Sequence, residues 1–216
     1  MAWKTMLFDW NGTLLDDFPV VYGSIEKIFR TYGVAVPSPD IYREQITSHY
    51  MESFYWRNGI PRSVTAGELN RIRREHFRTC GAAPALFDGV KELLDLLAVR
   101  GSENIIVTAE DENIMQERSI EFDLDRHFTM IIAEARAKGE AFLELKKSYG
   151  LDPAQCIYVD DNADDLAAAK RLGMTTIGVT YGYQTVRRIM STDPDYIASS
   201  ASDITRFLVN DQRLSA

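Results

Sequence analysis

The chain has 216 residues, 45% of them hydrophobic and 26% charged, with a formal net charge of −8. That length suits one large domain, or one domain carrying a smaller insert, and the composition excludes a disordered chain. The acidic balance argues against nucleic acid as a partner, because phosphate backbones repel such a surface, and no apolar run approaches the roughly 20 residues of a membrane-spanning helix.

Met1 to Trp10 carries one lysine and a short apolar stretch that meets Asp9 at once. A secretory signal needs a longer apolar core and a small-residue cleavage site, so the expected location is the cytoplasm. The first predicted strand is Thr5–Phe8. Asp17 with Pro19 then starts a helix through Ile25, Ile28, Phe29 and Tyr32 to Gly33. Tyr50, Phe54, Tyr55 and Trp56 crowd one segment and read as core or, alternatively, as a substrate wall. Thr65 and Glu68 have capping-box spacing. Between Arg57 and Arg78 six arginines stand against two glutamates, a solvated helix face or a cationic lid suited to an anionic substrate. No buried strand is predicted from Asp17 to Ala83.

Beyond that stretch, Asp88 is the expected cap of a helix whose face is Val90, Leu93, Leu94 and Leu97, stopped by Gly101. Strands follow at Asn104–Thr108, Thr129–Ile132, Cys156–Val159 and Thr175–Val179, with a weaker one near Tyr196–Ala198. Helices are expected from Ala141 to Tyr149 and from Asp164, read as its cap, to Leu172. Short β-branched runs alternating with amphipathic ones imply an α/β fold with a doubly wound parallel sheet. The expected division is a core of residues 1–16 and 84–216 with a helical cap domain, 17–83, inserted after strand one. Cys80 and Cys156 lie far apart without CxxC spacing and read as apolar fillers. His49, His76 and His127 lack ligand spacing, so no zinc site is expected.

Two segments carry chemistry. In Phe8-Asp9-Trp10-Asn11-Gly12-Thr13 an apolar strand ends on a carboxylate ahead of a Gly-Thr turn. Strand C-terminal ends open onto the crevice where parallel sheets bind ligands, and a carboxylate there can attack phosphorus if a divalent cation offsets the repulsion. Gly12 lets backbone amides approach an anionic group closely. Asp9 could equally just end a strand and cap a turn. The second segment, Val159-Asp160-Asp161-Asn162-Ala163-Asp164-Asp165, sets four acids within six residues, which a cation or cationic side chain would have to collect.

Together these segments resemble the haloacid dehalogenase (HAD) superfamily. Its DxDGT motif is matched by Asp9 to Thr13 with Asn11 as the departure, and its strand-end Ser/Thr by Thr108. Lys138 takes the place of its lysine ahead of a helix, followed by Gly139 where the family has proline. GDxxxD is matched from Asp160 to Asp165, with Asp160 in place of the glycine. The resemblance covers the whole chain and implies a Rossmann-like HAD core with a cap of the phosphoglycolate phosphatase-like subgroup. It implies Mg2+-dependent hydrolysis of a small phosphorylated metabolite through an aspartyl-phosphate on Asp9. It further implies that Asp9, the Asn11 carbonyl and Asp161 bind the metal. Asp165 and Asp160 would stand behind them, and Gly12, Thr108, Ala109 and Lys138 would hold the phosphate.

Asn11 stands where these phosphatases have a proton-exchanging Asp. An amide cannot trade a proton, and such help is worth roughly 10²–10⁴-fold. Two rivals follow: a HAD-fold protein that binds a phosphorylated ligand with weak or no turnover, and another HAD C–P or C–halogen hydrolase. The family's C–P hydrolases rely on a Schiff-base lysine from the cap, and Lys27, the one lysine of the insert, makes that reading poor. Dehalogenases work without metal, which the Asp160–Asp165 acids disfavour.

Overall fold

The structure, a computed structural model, describes residues 3–47 and 51–210. In chain order the strands are β1 (Thr5–Phe8), β2 (Leu15–Asp16), β3 (Ala85–Leu86), β4 (Glu103–Val107), β5 (Met130–Ile132), β6 (Cys156–Asp160), β7 (Thr175–Val179) and β8 (Tyr196–Ala198). The helices are α1 (Phe18–Thr31), α2 (Pro39–Gln45), α3 (Met51–Arg57), α4 (Ala66–Thr79), α5 (Val90–Val99), α6 (Glu112–Phe122), α7 (Lys138–Ser148), α8 (Ala163–Arg171), α9 (Val186–Met190) and α10 (Ala201–Asn210). Six strands form a parallel sheet in the order β5-β4-β1-β6-β7-β8.

The alternation of side chains along each strand builds two cores, one on each face. Met6 and Phe8 of β1, Ile106 of β4 and Ile157 and Val159 of β6 pack with Val90, Leu93, Leu94 and Leu97 of α5 and Ile204 and Leu208 of α10. Leu7, Ile105, Val107 and Tyr158, the intervening residues, pack on the other face with Phe142 and Leu145 of α7 and Leu166 and Ala169 of α8. Helices on both faces of a parallel sheet make the fold doubly wound α/β, as the sequence pattern predicts. The chain leaves β1 toward β4 and β5 on one side and returns for β6, β7 and β8 on the other. The C-terminal ends of β1, β4 and β6 therefore surround the point where strand order reverses, the place where such sheets open a crevice.

Between β2 and β3, helices α1 to α4 enclose a third apolar cluster that includes Ile25, Ile28, Phe29, Tyr42, Phe54, Tyr55, Leu69 and Ile72. Phe54 and Tyr55 are thus core, while Tyr50 and His49 lie outside the described residues. At both crossings to this insert, β2 and β3 pair antiparallel, Leu15 with Leu86 and Asp16 with Ala85. Two-residue strands carry no periodic signal, so the sequence pattern does not reveal them.

Three local expectations need correction. Gly89, with φ +85°, rather than Asp88, precedes α5, and no side chain caps that end. Asn162, not Asp164, caps α8 by accepting the Asp164 amide. Helix α7 begins at Lys138 rather than Ala141. Asp17 does precede α1 but makes no capping bond, because its carboxylate is engaged elsewhere. Thr65 caps α4 through the Glu68 amide, as its spacing predicts.

Candidate active site

After β1 the chain turns sharply: the Trp10 carbonyl accepts the amides of Leu14 and Leu15, each at 2.9 Å, and the Gly12 amide donates to Leu15 O. Gly12 has φ +79°, and a β-carbon there would strike the Asp161 carboxylate. The turn and the end of β6 are therefore packed in contact, and only glycine permits it. Gly182, in the loop after β7, is pressed the same way against Asp161 and the Gly12 carbonyl.

This packing brings Asp9, Asp160 and Asp161 together, each offering a carboxylate oxygen within 4.8 Å of the others. Lys138, at the first turn of α7, reaches into the group. Its ammonium lies 2.6 Å from Asp9 Oδ1, 3.0 Å from Asp160 Oδ2 and 3.6 Å from Asp165 Oδ2. All five residues are buried. Asp160 has three partners: besides Lys138 it accepts the Tyr158 hydroxyl and the Asn162 amide. Asp161 accepts the Tyr183 amide, and Asp9 Oδ2 accepts the Thr13 hydroxyl at 3.4 Å.

Burial pushes the Asp9 carboxyl up to about 7, the Lys138 ammonium pulls it down and Asp160 adds to the rise. Burial, then Asp160 and Asp9, hold Asp161 well above the ordinary carboxylate range. Burial would lower Lys138, but Asp160, Asp9 and Asp165 outweigh it and the net shift is upward. The centre is short of positive charge. An all-oxygen set of buried carboxylates in that condition fits a hard divalent cation such as magnesium. His76 and His127 are not part of this group, and His49 lies outside the described residues.

Asn11 stands beside the centre, in a network the sequence does not reveal. Its amide nitrogen donates to Asp17 at 2.7 Å and to Glu110 at 3.2 Å. Asp17 also accepts the Tyr183 hydroxyl at 2.5 Å. Burial raises the Asp17 carboxyl to about 6, against its bonds to Tyr183 and Asn11 and with a push from Glu110. Thr108, fully buried just past β4, accepts the Glu110 amide and reaches Asn11 Oδ1 at 3.5 Å. A cleft of about 340 Å³ opens here, with Asn11, Ala109 and Glu110 on the sheet side and Asn70 and Arg73 on the α4 side. Every residue singled out from the sequence as part of the site thus lies at the carboxylate centre or at the adjoining mouth of the cleft. Asp17, Glu110, Tyr158 and Tyr183 are additions.

Comparison with known proteins gives the family and the fold. Over 216 residues the chain is 27% identical to a 5'-nucleotidase of Pseudomonas aeruginosa, covering 96% of each. A phosphoglycolate phosphatase of Synechococcus elongatus is 26% identical over 207 residues, 93% of this chain and 95% of the relative. The crystal structure of a predicted phosphatase from Clostridium acetobutylicum shares the fold with a TM-score of 0.82 at 19% identity, covering 98% of this chain and all of the other. The sequence profile of haloacid dehalogenase-like hydrolases matches residues 6–179, from β1 to the end of β7, and the chain belongs to that family.

Proposed function

We propose that the protein is a magnesium-dependent phosphatase of a small phosphorylated metabolite, with Asp9 as the nucleophile. The observation that carries this reading is Asp9 at the switch point of the sheet, its Oδ1 bonded to Lys138 and its carboxylate grouped with Asp160 and Asp161. Asp9 forms a bond to phosphorus as the bond to the leaving oxygen breaks; water then attacks phosphorus and frees the carboxylate. Lys138 neutralises charge on Asp9 and the transferring group, and Asp160 and Asp165 hold that lysine in place. Asp9, Asp161 and the Asn11 backbone carbonyl would hold a magnesium ion, which would supply the charge that offsets repulsion between carboxylate and phosphate. Thr108 and the Ala109 amide receive phosphoryl oxygens. In this reading residues 17–83 form a lid domain over a core of residues 1–16 and 84–216 and exclude water when seated. The relatives' names make phosphoglycolate and nucleoside 5'-monophosphates the first substrates to try.

Thermal unfolding with and without Mg2+, beside turnover of a panel of phosphorylated metabolites, tests this reading. An ion at 100 times its Kd adds about 2.7 kcal/mol, which in a chain this long raises Tm by about 5–10 °C. Asp161→Asn is expected to lose most of that rise. An equal rise in the variant, or no turnover of any phosphate ester with Mg2+ present, contradicts the reading.

Asn11 bears on which substrates turn over. Without a proton donor at this position, aryl and acyl phosphates, whose leaving groups need little protonation, are expected to outrun alkyl phosphates. Asn11→Asp alone sets a third carboxylate against Asp17 and Glu110 and removes the amide that bridges them. The exchange Asn11→Asp with Asp17→Asn keeps one amide and one carboxylate in contact. The double variant is expected to raise alkyl-phosphate kcat about ten-fold or more, and the single variant to fall well short of it. Equal alkyl rates in wild type and double variant mean that Asn11 is not limiting.

A further inference from the structure

Helix α4 carries a run of arginines, and one of them differs from its neighbours. Arg71 pairs with Glu75, and Arg71, Arg74 and Arg78 are exposed. Arg73 instead turns inward and lines the cleft. Its Nε is buried without a hydrogen-bond partner among the described residues, and its guanidinium stands 5.8 Å from the Phe77 ring.

Tyr42, which lines the same cleft from α2, is fully buried, and its hydroxyl is also unpartnered. The Tyr55 hydroxyl is a third such group. These atoms are close enough to feel one another. Burial pushes Tyr42 up, with a further push from Tyr55, while Arg73 pulls it down. Burial holds Tyr55 at about 12 against the pull of Arg73. Both phenols remain O–H donors at any physiological pH. A guanidinium N–H and two hydroxyls, dry and unpaired, are costly in an apolar cluster. The complement of the two that line the cleft, the Arg73 guanidinium and the Tyr42 hydroxyl, is an oxyanion; Asp17, Glu52 and Asn70 are the other polar residues of the insert that line it. From the core the same cleft is lined by Asn11, Ala109 and Glu110, beside the carboxylate centre, and by Arg118 and Arg136.

We propose that Arg73 and Tyr42, backed by Tyr55, are a receptor for a second anionic group of the substrate, a carboxylate or a second phosphate, and so determine specificity. The proposal rests on the phosphatase reading of the Asp9 centre. A phosphate ester with an uncharged tail leaves Arg73 and Tyr42 unpaired, whereas a phosphorylated acid or a bisphosphate satisfies them. Discrimination arises because a site built to bond a polar group rejects the analogue that lacks it.

The test is steady-state kinetics with Mg2+ on 2-phosphoglycolate, fructose 1,6-bisphosphate and glycerol 3-phosphate. Wild type is expected to favour one of the first two over glycerol 3-phosphate by about ten-fold or more. The first being favoured identifies a carboxylate, the second a phosphate. Arg73→Met is expected to lower kcat/KM on the favoured substrate about 30-fold, mainly through KM, and to leave glycerol 3-phosphate within about three-fold. Arg73→Lys is expected to recover part of the loss, because it restores charge without the planar fork. Tyr42→Phe removes only an unpartnered oxygen, so it is expected to weaken the favoured substrate several-fold while Tm stays level or rises. Equal losses on all three substrates in Arg73→Met, or no loss on any, overturn the receptor and leave the phosphatase reading standing. So does a wild type without preference. A wild type that hydrolyses none of the esters overturns the phosphatase reading, and the receptor with it.

Discussion

Asp9→Asn is expected to reduce turnover to background and, in metal-free buffer at neutral pH, to raise thermal stability. The first effect follows from chemistry: a carboxamide is not a nucleophile toward phosphorus, and no other carboxylate of the centre is free to replace it. Asp160 is committed to Lys138, Tyr158 and the Asn162 amide. The second effect follows from electrostatics. The Asp9 carboxyl is pushed up to about 7 in the fold, because burial disfavours its charge by more than Lys138 pulls it down, and Asp160 adds to the rise. A folded pKa above the unfolded one means that wild-type stability falls as pH rises from about 4 to about 7 and then levels. The variant lacks that loss, so its advantage is absent near pH 4 and largest above pH 7. Lys138 keeps Asp160 and Asp165 as partners in the variant, so the buried ammonium is not stranded. The checks are kcat with circular dichroism, and Tm against pH in chelator. A variant that retains activity excludes Asp9 as nucleophile; a variant less stable than wild type at pH 8 means that Lys138 outweighs burial.

Lys138→Met is expected to cost about 3–5 kcal/mol of stability in metal-free buffer, or about 6–20 °C in Tm, together with most of the activity. Lys138 is itself 4% exposed and bonds two buried carboxylates, with a third at 3.6 Å. Removing it leaves Asp9, Asp160 and Asp165 uncompensated, and an uncompensated buried charge costs far more than an intact pair contributes. Surface pairs such as Arg30–Glu26 have no such leverage, because water screens them. Arginine is not expected to rescue position 138: the ammonium is a compact point charge over the Tyr158 ring, at 5.9 Å, and a guanidinium needs room that the buried site does not offer. Mg2+ is expected to return part of the lost stability, because the ion brings positive charge to the same carboxylates. A variant as stable as wild type would show that the carboxylates share their charge in some other way.

The sheet was legible because each strand states its two faces: Met6 and Phe8 against Leu7 in β1, Ile157 and Val159 against Tyr158 in β6. Four of the carboxylate-centre residues were legible for a different reason. Asp9, Asp160 and Asp161 sit at strand ends or just past them, where a parallel sheet opens, and Asp165 follows in the first turn of α8. What surrounds Asn11 was not, because nothing local encodes it. Glu110 lies 99 residues away, and the Tyr183–Asp17 bond spans 166. Asp17 even has a sufficient local explanation as a helix start ahead of Pro19, yet its carboxylate turns to Asn11 and Tyr183 instead. Arg73 is similar: in sequence it is one of six arginines between Arg57 and Arg78, and only the packing of α4 on α1, which turns Arg73 into the cleft, separates it from the rest.

The loop from Gly182 to Gln184 ties two things together that the chain otherwise keeps apart. The Tyr183 amide holds the Asp161 carboxylate. The Gly182 carbonyl accepts from Arg43, the Tyr183 hydroxyl donates to Asp17, and the Gln184 amide donates to the Ile46 carbonyl at 3.1 Å. Just beyond, Thr185 and Arg187 hold Glu44. Under the phosphatase reading, a cation drawn to the Asp161 carboxylate would compete with the Tyr183 amide for it, and so would act on the same loop that bonds Arg43, Ile46 and Asp17. Ion binding and the seating of these helices would then be linked, each altering the other by the same factor.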